Sequence, residues 1–136
     1  MTKSAAELQK SIFAALGGDA ALTSLLGAGK IHDLAPGHVA FPYITFGRTS
    51  VFDWSTGTES GDEHLFTLHV WSTAKGKKET LAIMERAKTL LHDAPLELVG
   101  YHLVSLRLEF SEVRFDEDAS VHHGLMRFRA LIEVAG

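Results

Sequence analysis

Histidine is the residue of this 136-residue chain best suited to chemistry, since imidazole ligates metals and moves protons near neutral pH, and there are eight. By spacing, the candidates are His64 with His69, His122 with His123, and His32 beside Asp33. On a strand, positions an odd number apart point to opposite faces, so neither of the first two pairs can converge on one ion. No metal site is expected. The carboxylates Glu59, Asp62 and Glu63, and the run Asp116, Glu117, Asp118, have the right groups for acid–base work or a hard cation. The second run lacks the glycine and the alternating oxygen ligands of a calcium loop, and both groups read as solvated turns.

Other chemistry has no visible carrier. The sequence has no Gly-x-Ser-x-Gly elbow, phosphate loop or dinucleotide fingerprint, and it contains no cysteine, which removes thiolate nucleophiles, zinc-thiolate sites and disulfides together. No catalytic residue and no cofactor are expected. Seventeen acidic against thirteen basic side chains leave a net charge of −4, which is no footprint for holding a phosphate backbone. Lys75, Lys77 and Lys78 form a small basic cluster without interleaved aromatics and read as a solvated turn. Phe52 and Trp54 are more informative. They place large apolar surface in a stretch, residues 51–62, too polar to build a core of its own. Two readings stay open for them: the rings fold back onto the parent sheet, or they meet another subunit.

The elements that carry these residues follow from periodicity. Ser4 and Glu7 have capping-box spacing, and Leu8, Ile12, Ala15 and Leu16 share a helical face up to Gly17 and Gly18. Asp19 caps a second short helix with Leu22, Leu25 and Leu26 on one side, closed by Gly27 and Gly29. Phe41 and Pro42 open a strand through Tyr43–Phe46 that ends near Arg48. Residues 51–62 form a long loop or extended hairpin arm, and Glu63–Trp71 a second strand. Ile83, Ala87, Leu90 and Leu91 mark a long helix ending before Pro95. Val104, Leu106, Leu108 and Phe110 line one side of a third strand, and Met126, Phe128, Ala130, Ile132 and Val134 one side of a fourth. A turn near Asp118 makes facing residue numbers sum to about 236 and sets Glu109 opposite Arg127.

The order α-α-β-β-α-β-β predicts an α+β domain, a mostly antiparallel four-stranded sheet with helices packed on one face. A length of 136 residues and a content of 46% hydrophobic and 22% charged residues suit one soluble domain spanning 1–136. No signal peptide or membrane-spanning stretch is expected.

The ordered series of motifs resembles the phage tail-completion or tail-terminator family, long catalogued as a domain of unknown function and also found in gene-transfer-agent clusters. The likeness rests on the opening helix Glu7–Leu16, the segment from Asp19 to Gly27, Ile31-His32-Asp33, and Phe41-Pro42-Tyr43-Ile44. It continues through the Leu-His-Val-Trp strand ending at Trp71, His92-Asp93, Leu106–Glu109 and the strand from His123-Gly124 to Glu133. The resemblance implies a structural virion protein, typically a hexameric homo-oligomeric ring, that caps the head-proximal end of the tail tube and halts its polymerisation. It also implies a surface joining tail to head. The partners implied are the tail-tube protein and a head-tail connector or stopper protein, with DNA passing through the ring without specific binding and no membrane contact. The location implied is the virion tail or gene-transfer-agent particle, reached from the host cytoplasm during assembly. Alternatives are a neighbouring neck or minor tail component of the head-closure type, a small metal-dependent hydrolase, or a soluble regulatory module.

Overall fold

The computed structural model describes residues 3–135. Helix α1 (Lys3–Gly17) buries Leu8, Ile12 and Leu16, one residue per turn, so a single stripe faces the core. Ser4 is not its N-cap: it lies inside the helix, buried, and its hydroxyl donates to Asp62 Oδ2 at 2.8 Å. Helix α2 (Ala20–Leu26) is capped by Asp19, whose carboxylate accepts the Leu22 N–H at 2.8 Å. The same carboxylate takes both prongs of Arg86, at 2.8 and 2.7 Å, which ties α2 to helix α3 (Lys78–Leu91). The Arg86 hydrogen bond and then the Leu22 amide hold the Asp19 carboxyl down at about 2. Leu22 and Leu26 are buried, but Leu25 is exposed. Leu25 shares their side of the helix but sits at the margin of the contact, 37% exposed.

The sheet has five strands, not four, in the order β1-β2-β3-β5-β4, and it is mixed. The addition is β1 (Ile31–His32), which pairs parallel with Ile44 and Thr45 of β2 (Tyr43–Asp53). Two residues carry no periodicity to read. The turn between β1 and β2 is tied instead by Lys30, whose ammonium donates to the carbonyls of Leu26, Ala40 and Pro42 at 3.2, 2.6 and 2.9 Å. The Phe41–Pro42 bond is cis.

Strand β2 does not end near Arg48. It passes a bulge between Phe46 and Thr49 and stays paired with β3 (Gly61–Ser72) as far as Asp53. A Cβ on Gly47 would lie 2.3 Å from the His69 ring, so the imidazole packs directly on the bulged backbone.

Strands β4 (Tyr101–Asp116) and β5 (Val121–Val134) form the expected hairpin, and numbers summing to 236 do face each other from Ser105 to Leu108. Two bulges, between Leu103 and Ser105 and between Leu108 and Phe110, then alter the register. Each extra residue reverses which side chains face the helices: Tyr101 and Leu103, then Leu106 and Leu108, then Val113 pack on the core. Val104 and Phe110, expected in the core row, are therefore exposed. Glu109 falls in the second bulge, and Phe110 takes its place opposite Arg127, whose guanidinium sits 5.5 Å over the ring.

All three helices cover the same face. There Ile44, Leu68, Ile83, Leu91, Leu106, Met126, Phe128 and Ile132 are sealed from solvent. Burying each such side chain contributes about 1.5–3 kcal/mol before the cost of ordering the chain. Among the described residues no helix is long and apolar enough to cross a membrane.

Candidate functional site

With the helices on one side, the opposite face of the sheet carries Tyr43, Thr45, His69, Trp71, His123, Leu125, Arg127 and Arg129, residues that alternate with the core row. The histidines paired by sequence do separate as expected. His64 is sealed under α1, whereas His69 points to the open face, and His122 is buried while His123 joins His69.

The pairing that sequence spacing missed crosses strands. Trp71 stands opposite His123, so His69 is its diagonal neighbour, with His69 Nδ1 and His123 Nε2 2.6 Å apart. The His123 ring stacks on Trp71 with centroids 4.1 Å apart and planes 5° from parallel. One nitrogen of the pair must donate and the other accept, so the contact requires that they not both be protonated. Burial lowers both side chains below the ordinary histidine value, and His69 and Arg114 add to the effect at His123. Burial also lowers His64, against the opposing pull of Asp62.

A depressed pKa on a base means that the unfolded chain takes up protons first, so stability is intact above about pH 6.5 and falls as acid is added. Urea midpoints should therefore drop between pH 7.5 and 5.5. The drop should be smaller in a His123→Gln variant. Equal slopes for the two proteins would remove the pair from this account. The carboxyl of Asp19, held at about 2, does not titrate in that window.

Beside this pair lies a groove of about 440 Å³ lined by Phe41, Tyr43, Trp71, Phe115 and His123, with Arg114 and Asp116 at its polar side. The acidic candidates do not gather there. Asp62 bonds Ser4 and Glu63 pairs with Arg129, on opposite faces of β3. Asp116 Oδ1 accepts the N–H groups of Asp118 and Ala119 and so shapes the β4–β5 turn. No group of three His, Asp or Glu side chains that could hold a metal occurs among the described residues. Ser4, Asp62 and His64 do meet, with Ser4 Oγ 3.3 Å from His64 Nε2. Here the serine bridges the other two, and the imidazole is sealed from any substrate. Lys75, Lys77 and Lys78 are exposed at the entrance to α3.

Phe52 closes the outer part of β2 and is 50% exposed, and Trp54, just beyond it, is 37% exposed. The Trp54 ring rests in part on Gly61 of its own hairpin, where an added Cβ would come within 3.0 Å of it.

The open sheet face and the half-exposed Phe52 and Trp54 at the hairpin end leave apolar surface that the chain itself does not cover. The same frame occurs in a solved chain from the virion of a native gene transfer agent particle: 30% identity, TM-score 0.89, covering 98% of this chain and 99% of that one. The class is thus that of virion tail components. A family model described as Tail completion protein gp17 matches residues 10–133, and the chain belongs to that family. It is also 27% identical, over 92 residues, to the Tail completion protein gp17 of Bacillus phage SPP1, covering 68% of each protein.

Proposed function

We propose that this chain caps the head-proximal end of a tail tube, stops the tube's polymerisation and supplies the surface on which tail and head join. It acts as one subunit of a closed homo-oligomeric ring, six copies in the geometry usual for such caps, and catalyses no reaction. The observation that carries this reading is the likeness, over nearly the whole of both chains, to a chain of a gene transfer agent virion, together with the family match over residues 10–133. Its partners are further copies of itself, the tail-tube protein and a head-tail connector or stopper protein, and DNA passes through the ring without specific recognition. A net charge of −4 supports passage without sticking. Phe52 and Trp54 serve as contact residues at the hairpin end, toward a neighbouring subunit or the last tube ring.

Electron microscopy of particles lacking the gene tests the reading: overlong or unattached tails are expected. Tails of normal length, fully attached, would overturn it, and tails of normal length that merely fail to attach would favour a head-closure component. In Phe52→Ala and Trp54→Ala variants ring assembly should weaken and tail lengths broaden while the isolated protein still unfolds cooperatively in urea, with a midpoint lowered only modestly for Trp54→Ala, whose ring packs on Gly61. Unaltered assembly and tail length would remove these two side chains from the contact.

A further inference from the structure

Each long edge of the sheet is covered over part of its length, and the C-terminal parts of β2 and β4, which run in opposite directions, are left open at opposite ends. On the β2 edge, β1 pairs only with Ile44 and Thr45, so the length from the bulge to Asp53 has no strand beyond it among the described residues. On the β4 edge, the segment after α3 occupies the middle of the strand: Asp93 N–H donates to the Leu106 carbonyl at 2.7 Å, and the Leu108 N–H donates to His92 Nδ1 at 2.9 Å. Phe110 to Asp116 has no strand beyond it among the described residues.

Unpaired edges present rows of N–H and C=O groups ready to bond another strand, and proteins usually blunt them with Lys or Pro. Neither Lys nor Pro occurs in Thr49–Asp53 or Phe110–Asp116, whose charges are Asp53, Glu112, Arg114 and Asp116. These segments instead carry Phe52, Phe110 and Phe115, each about half exposed. Polarity is compatible as well. The pairs β2–β3, β3–β5 and β5–β4 are all antiparallel, so β2 and β4 run in opposite directions. A β4 laid beside the β2 of a second copy continues the alternation without a break.

We propose that copies of this chain join head to tail by antiparallel pairing of the free part of β4, Phe110–Asp116, with the free part of β2, Thr49–Asp53, of the next copy. The occupant of each open edge is the other open edge. A run of about five residues is an ordinary strand length. Because the free halves sit at opposite ends of the strands, successive copies are staggered along the strand direction, as in a barrel of tilted strands, and a heterologous contact of this kind closes by rotation. The inference rests on the ring reading above and specifies its contact.

The chain contains no cysteine, so introduced thiols report without background. Ser50→Cys is combined in turn with Phe110→Cys, Glu112→Cys and Arg114→Cys, all on the open face, and purified particles are oxidised mildly and run without reductant. At least one combination should give a ladder of covalent multimers of this chain. Ser50→Cys with Ser105→Cys, beside the covered half of β4, should give none. Failure of all three combinations in particles that hold the chain at normal abundance overturns the edge contact, as does an adduct of Ser50→Cys with a tail-tube protein. Both results leave the ring reading standing. Particles without a ring of this chain at the tail end would overturn the ring itself.

Discussion

Replacing Phe128 with alanine should lower the free energy of unfolding by about 3–5 kcal/mol. Its ring is completely buried at the centre of β5 and stacks on Phe66 of β3, centroids 5.1 Å apart and planes within 10°. Truncation removes that contact and leaves a cavity between sheet and helices that a rigid sheet cannot collapse to fill. A domain of this size has about 5–15 kcal/mol in hand, so the loss consumes a large share. Urea unfolding would show a much lower midpoint with an unchanged slope, and Phe128→Leu should keep most of the stability. A loss below about 1 kcal/mol for the alanine variant would mean the core repacks far more freely than the stacked rings imply.

Gly124 should also resist substitution, for the opposite reason. A Cβ there would lie 2.6 Å from Met84 Sδ and 2.9 Å from Thr80 Cγ2, because α3 rests directly on this point of β5. Alanine should cost about 1–3 kcal/mol, and valine more, since α3 has to lift or Met84 has to leave its rotamer. Met84→Ala opens the space that the new methyl needs, so the double variant with Gly124→Ala should lose less than the two single losses added together. Strict additivity in urea unfolding would exclude this contact as the cause. Gly57→Ala, with nothing within 4 Å of the added carbon, should leave the midpoint unchanged.

The amphipathic stripes were legible from sequence because they depend on period alone. Leu8, Ile12 and Leu16, then Ile83, Ala87 and Leu91, and the even residues of β5 from Met126 to Ile132 face the core as their spacing requires. Asp19 was legible as a cap, though not as the anchor of Arg86, which lies 67 residues further along the chain. What escaped depends on pairing partners. β1 has two residues and exists only because Ile44 and Thr45 lie beside it. Bulges leave no local mark in β4, where Val104 and Phe110 continue an unbroken alternation, so the exposure of both could not be foreseen. Of the open face, the individual residues were visible, but the His69–His123 contact needed the β3–β5 register before these histidines could be put together. Phe52 and Trp54 stood out by composition alone, since bulky apolar side chains in a polar stretch are conspicuous in any register.

The two irregularities of β4 also bear on how the length of this hairpin can change. Strand β4 spends 16 residues to match 14 in β5, and the surplus is one residue at each bulge. Tyr101 and Leu103 at one end are consequently in phase with Val113 at the other, and only the stretch holding Leu106 and Leu108 is out of step. Loss of the surplus residue at either bulge would straighten that stretch and leave every remaining pair and its facing unchanged. Loss of a residue from a regularly paired stretch would instead turn everything on one side of it inside out, setting apolar side chains in water and charged ones against the helices. Shortening is therefore tolerable at the bulges and ruinous between them.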